Sequence, residues 1–172
     1  MSENRGIFSL EEFYDLQVSG ETTNIFEVFR YVNSISVPAG TDFGYFAGGH
    51  SPVTTTIDRI DYSNDTATAA VKGPLAEGRR NHGATTNSSF GYFGGGSPGL
   101  SSVNRVDYSS DTSTAAVKGP LTRTIPNLYK SSTGNADFGY FAGGYPSNSI
   151  IDRVDYSNDT ATASLKGNLD RA

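Results

Sequence analysis

The 172-residue chain has no cysteine, no tryptophan, one methionine and two histidines. Without cysteine there is no disulfide framework, no thiolate zinc site and no thiol nucleophile. His50 and His82 have no third ligand at a metal spacing, so a zinc centre or a catalytic triad lacks its parts. Cations are also few. The 13 Lys and Arg face 18 Asp and Glu for a net charge of −5, and they do not cluster, which argues against a surface built to neutralise phosphates. The one basic pair, Arg79-Arg80, reads as a solvated loop. No apolar run approaches the roughly 18 residues of a membrane span. The opening Met1-Ser2-Glu3-Asn4-Arg5 has no apolar signal core behind it, so a soluble product made in the cytoplasm is expected.

What is present is small, polar and aromatic. Ser, Thr and Asn number 21, 17 and 12, and these residues are poor helix formers that favour turns. Gly contributes 20 residues, Tyr and Phe 10 each. An all-β chain is expected, with apolar burial carried by Phe, Tyr, Val and Ile rather than by Leu-rich helices.

Internal repetition dominates the chain. Phe43-Gly44-Tyr45-Phe46-Ala47-Gly48-Gly49 returns as Phe90-Gly91-Tyr92-Phe93-Gly94-Gly95-Gly96 and as Phe138-Gly139-Tyr140-Phe141-Ala142-Gly143-Gly144, at spacings of 47 and 48 residues. A second block, Asp58-Arg59-Ile60-Asp61-Tyr62-Ser63-Asn64-Asp65-Thr66, recurs from Asn104 and from Asp152, keeping Asp107 and Asp155 in the place of Asp61. A third block closes each unit: Val71-Lys72-Gly73-Pro74-Leu75, Val117-Lys118-Gly119-Pro120-Leu121 and Leu165-Lys166-Gly167-Asn168-Leu169. Length varies only after the Gly pair and before the next Phe, where loops absorb it.

Each unit reads as short antiparallel strands. Phe43, Tyr45 and Ala47 share one face and Gly44 and Phe46 the other, the glycines permitting close approach of a neighbour. Arg59 and Asp61 share a face and are expected to pair. Ser-Asn-Asp-Thr then turns the chain, and Thr66 to Val71 returns as a strand. Asn81 to Asn87 supplies a fourth strand ahead of the aromatic one.

Four strands per ~47 residues with a Gly pair closing the second resemble a kelch propeller blade. Arg-Ile-Asp and its turn look like the kelch third strand, and Arg79-Arg80-Asn81-His82-Gly83-Ala84 like the entry to the first. The fourth-strand Trp of the family is replaced near Ala69, Ala115 and Ala163. The resemblance implies blades over about residues 38–77, 78–123 and 124–172, with Gly48, Gly49, Asp61, Gly95, Gly96, Asp107, Gly143, Gly144 and Asp155 as framework. The repeats are also similar to segments in structural proteins of tailed phages, marine ones especially. That resemblance implies a non-enzymatic virion component, a tail fibre, tail tip or capsid appendage used in host attachment. The alternatives are a carbohydrate-binding or adhesin module and a general interaction propeller.

Rings usually need 4–8 blades, so three imply partners. The expectation is further copies of the chain, most simply a two-fold dimer with six blades, with a trimeric appendage as the rival. Residues 1–37 stand outside the repeat as a docking or packing segment. Ser9-Leu10-Glu11-Glu12 caps a small helix over Phe13 and Tyr14, and Phe26, Val28, Phe29 and Tyr31 either pack on the chain's own blades or dock on other virion proteins. The first unit's first strand comes from Asn33 to Val37 or from a partner. Variable loops carrying His50, Thr54, Ser97, Leu100, Tyr145 and Asn148 are candidate surface-binding loops for a host glycan. No nucleic acid, membrane insertion or cofactor is expected. The one alternative is Ca²⁺ at the acidic turns, which resemble calcium loops in composition but lack the ligand at position 12 and the central Gly.

Overall fold

The computed structural model describes residues 42–124, 131–144 and 149–170. The chain divides into Met1–Val37 and Pro38–Ala172, and every described residue lies in the second unit. The expected helix over Phe13 and Tyr14, the stretch from Phe26 to Tyr31, the strand from Asn33 to Val37, and loop residues Tyr145 and Asn148 lie outside the described residues.

The recurring Phe-Gly-Tyr-Phe block is a strand in all three copies, paired to the strand that follows it. The first sheet runs β1 (Phe43–Ala47), β2 (Ile57–Asp61) and β3 (Ala70–Val71). The second runs β4 (Gly83–Thr86), β5 (Phe90–Gly94), β6 (Val103–Asp107) and β7 (Ala116–Lys118). The third runs β8 (Ser131–Gly134), β9 (Phe138–Ala142), β10 (Ile151–Asp155) and β11 (Ser164–Leu165). All pairings are antiparallel between chain neighbours, and Phe43↔Asp61, Phe90↔Asp107 and Phe138↔Asp155 occupy the same register in each sheet. The architecture is thus all-β, with three antiparallel sheets of three, four and four strands. Among the described residues there is no α-helix, and the sheets do not close into a ring.

The turn after each second-block strand is built by its Asp. Asp61, Asp107 and Asp155 cap 3-10 turns at Tyr62–Asn64, Tyr108–Ser110 and Tyr156–Asn158, each carboxylate accepting from the backbone and side chain of the Ser two residues on. The Tyr of each turn folds back over the Gly of the aromatic strand. A Cβ on Gly91 would lie 2.9 Å from the Tyr108 hydroxyl oxygen, so the close approach at Gly44 and Gly91 is made by a ring of the same unit, while at Gly139 Thr85 of the preceding sheet comes in beside Tyr156.

The return strand is shorter than Thr66 to Val71. The residues ahead of it face the preceding sheet instead: Ala115 N–H donates to the Pro74 carbonyl at 2.8 Å and Ala163 N–H to Pro120 at 2.9 Å. Backbone groups that bond between sheets are withdrawn from the ladder within one.

Two apolar layers hold the sheets together. Ile57, Leu75, Tyr45 and Ala47 of the first sheet meet Phe93, Val106, Ala115 and Tyr108 of the second. One repeat further on, Tyr92, Val103 and Leu121 of the second meet Phe141, Val154, Ala163 and Tyr156 of the third. The first and second sheets therefore face forward with Tyr, a β-branched Ile57 or Val103 and Leu, and the second and third face backward with Phe, Val, Ala and Tyr. Burying each large side chain contributes roughly 1.5–3 kcal/mol.

Candidate interaction surface

The polar chemistry of the chain converges on the seams between successive sheets. At the first seam the Asp111 carboxylate receives Arg59 at 2.7 Å, Lys72 at 3.3 Å and the Tyr45 hydroxyl at 3.0 Å. At the second, Asp159 receives Arg105 at 2.7 Å, Lys118 at 3.2 Å and Tyr92 at 3.2 Å. The main chain of the same two residues is engaged as well, with Gly73 N–H donating to the Asp111 carbonyl and Gly119 N–H to that of Asp159, both at 2.8 Å. Each arginine lies over the Phe that opens its own unit, Arg59 over Phe43 at 4.0 Å and Arg105 over Phe90 at 4.2 Å, which fixes its reach. Rings close the seam: Tyr45 stacks on Tyr108 at 4.9 Å and Tyr92 on Tyr156 at 4.5 Å.

This arrangement corrects the expected pair within one strand. Arg59 and Asp61 do share a face, but Asp61 is committed to its turn, and Arg59 reaches forward to the next sheet. The Ser63 hydroxyl, then its backbone N–H, hold the Asp61 carboxyl below the ordinary carboxylate range. Burial, then the bond to Asp111, push the Tyr45 hydroxyl up to about 12. Burial and the Asp159 charge move Tyr92 in the same direction. Both phenols stay neutral donors to their carboxylates.

Close approach at the seam is enforced by glycine. A Cβ on Gly73 would collide with the Ser113 carbonyl, and one on Gly119 with the Ala161 carbonyl. No side chain larger than hydrogen fits.

Arg79 departs from the sequence reading as a solvated loop residue. It is fully buried and donates to the carbonyls of Phe93, Gly95 and Ser102 at 3.0–3.1 Å, with Glu77 as counter-ion. His82 lies beside it, edge-on to Phe93, and burial followed by the Arg79 charge holds its imidazole down at about 4.

The framework glycines end the aromatic strands. Gly48, Gly95 and Gly143 have φ of 70°, 66° and 74°, a left-handed turn that L side chains resist. Gly49 N–H reaches the Arg79 carbonyl at 3.1 Å; Gly96 and Gly144 also have positive φ. Of the candidate loop residues, His50 is exposed and bonded to Ser51, and Thr54 is half-buried, its carbonyl accepting from Arg79 N–H. Ser97 is buried, its backbone paired with Arg80, and Leu100 is half-buried. Both loops flank the segment carrying Arg79 and Arg80. Among the described residues no three His, Asp or Glu side chains converge as a metal site.

No protein-family model matches the chain, and no curated protein is similar to it.

Proposed function

We propose that the three sheets are kelch-like propeller blades and that the protein is a non-enzymatic structural component of a virion, a fibre, tail-tip or capsid appendage that displays the propeller for host attachment. The observation that carries the scaffold part is the repetition of one seam: the same carboxylate, cations, tyrosines and glycine join first to second and second to third sheet. A chain that spends its charged and aromatic residues on joining identical units serves architecture, and the variable loops are what it has left to present. The virion assignment draws on the likeness of the repeats to those of tailed-phage structural proteins. A mass-spectrometry inventory of purified particles tests it. Recovery at stoichiometric copy number supports the reading, and absence from particles made by cells expressing the gene overturns it.

A carbohydrate-binding role for the same propeller is favoured by the adjacency of the His50–Thr54 and Ser97–Ser101 loops around the Arg79 segment. A glycan array distinguishes it, since a purely structural protein leaves every spot at background.

A further inference from the structure

The seam has two halves, and among the described residues each end of the array presents one of them without its counterpart. The third sheet carries the cationic half in Tyr140, Arg153 and Lys166. Arg153 is already posed over Phe138 at 4.2 Å, as its two counterparts are over theirs, yet among the described residues no carboxylate pairs with Arg153 or Lys166. Gly167 is the copy of Gly73 and Gly119, but a Cβ there would meet nothing within 4 Å. Leu169 is 36% exposed where Leu75 and Leu121 are 1% and 2%. A cavity of about 430 Å³ lies on this face, lined mainly by apolar atoms of Tyr140, Ala142, Ile151 and Leu169.

The first sheet carries the acidic half. Asp65, the copy of Asp111 and Asp159, is exposed; Tyr62 and Phe46 are 56% and 61% exposed where Tyr108 is half-buried and Phe93 is 5% exposed. Among the described residues, the counterpart that the third sheet lacks is therefore the surface that the first sheet displays.

We infer that two copies of this chain join head to tail, the Asp65 face of each seated on the Tyr140/Arg153/Lys166 face of the other. The inference rests on the blade reading above. It repeats the two seams seen within the chain: Asp65 takes the two cations and the Tyr140 hydroxyl, its carbonyl accepts from Gly167 N–H, and Tyr62 stacks on Tyr140. Such a contact is heterologous, and it must close or propagate. Six is the only multiple of three among the usual 4–8 blades, so two chains close the ring and both seams are satisfied.

The test uses the full chain and its charge reversals. Sedimentation or light scattering at tens of micromolar should give a dimer. Asp65→Arg alone and Arg153→Asp alone should each weaken association on the order of a hundredfold, because each breaks both seams of the dimer. Mixing the two variants should restore it, since one seam is then native and the other carries the reversed pair. A wild-type monomer, single variants that dimerise as wild type, or a mixture that stays monomeric would each overturn the proposal. Far-ultraviolet circular dichroism of every variant, unchanged in the expected case, separates loss of the interface from loss of the sheets. A monomer with its sheet signal intact leaves the blade reading standing, whereas a trimer contradicts the six-blade ring itself.

Discussion

Asp65 and Asp111 occupy the same place in consecutive copies of one sequence, yet one is exposed and the other is 7% exposed with three side-chain partners. The local chain is nearly identical, with an Asp after the 3-10 turn and an Ala four residues on. The difference lies entirely in what precedes each sheet. The second and third sheets have a sheet behind them; the first has none among the described residues. Burial in this protein is a property of adjacency, and the same residues are structural in the middle of the array and available at its ends.

The sharpest way to break that comparison is at glycine. Gly119→Ala drives a methyl into the Ala161 carbonyl and should cost about 3 kcal/mol, whereas Gly167→Ala should leave the stability of the isolated chain within about 0.5 kcal/mol. Urea melts at low protein concentration measure both. Equal losses would mean that the end face is already covered.

The next effect contrasts the two seams. His82 touches the first seam through Gly48 and Phe93, and among the described residues the second seam holds no histidine. Its folded pKa, about 4, lies below the ordinary 6.5, so folding favours the neutral ring. The stability this carries is whole above pH 6.5 and is lost as pH falls toward 4, by up to about 3 kcal/mol. Hydrogen exchange at pH 7 and pH 5 should therefore show the first sheet loosening before the third, and His82→Phe should flatten the dependence.

Asp111→Asn leaves Arg59 and Lys72 without their carboxylate and should cost about 2 kcal/mol, while Asp65→Asn should not move the melting temperature of the dissociated chain. Smallest is Asp107→Ala, which removes a turn cap present in all three sheets and should cost about 1 kcal/mol by chemical denaturation.

The strands, their turns and their order were legible because they depend on local pattern. Period-2 aromatics, the Gly pair and the Ser-Asn-Asp-Thr turn all act within a few residues, and β4 falls inside the expected Asn81 to Asn87 segment. The seams were not legible for the same reason. Alternation puts Arg59 and Asp61, two positions apart, on one face, but the carboxylate Arg59 finds is 52 residues on. Arg79 reads from its neighbours as a solvated residue, because its three carbonyl acceptors belong to a strand and loop 14 to 23 residues downstream. Asp65, Asp111 and Asp159, with Lys72, Lys118 and Lys166, recur in every copy although their turns need only the preceding Asp. That surplus recurrence was the available signal.

The glycine of the third block has a consequence for how such a chain changes length. The seam motif common to both junctions is made from residues that each unit carries for itself, the cations and glycine looking forward and the Asp looking back. A duplicated or excised unit therefore inherits a matching junction on both sides, with no compensating substitution. Tandem gain and loss is open to this gene as single steps, and loops can diverge in one copy while its joints stay interchangeable with those of the others.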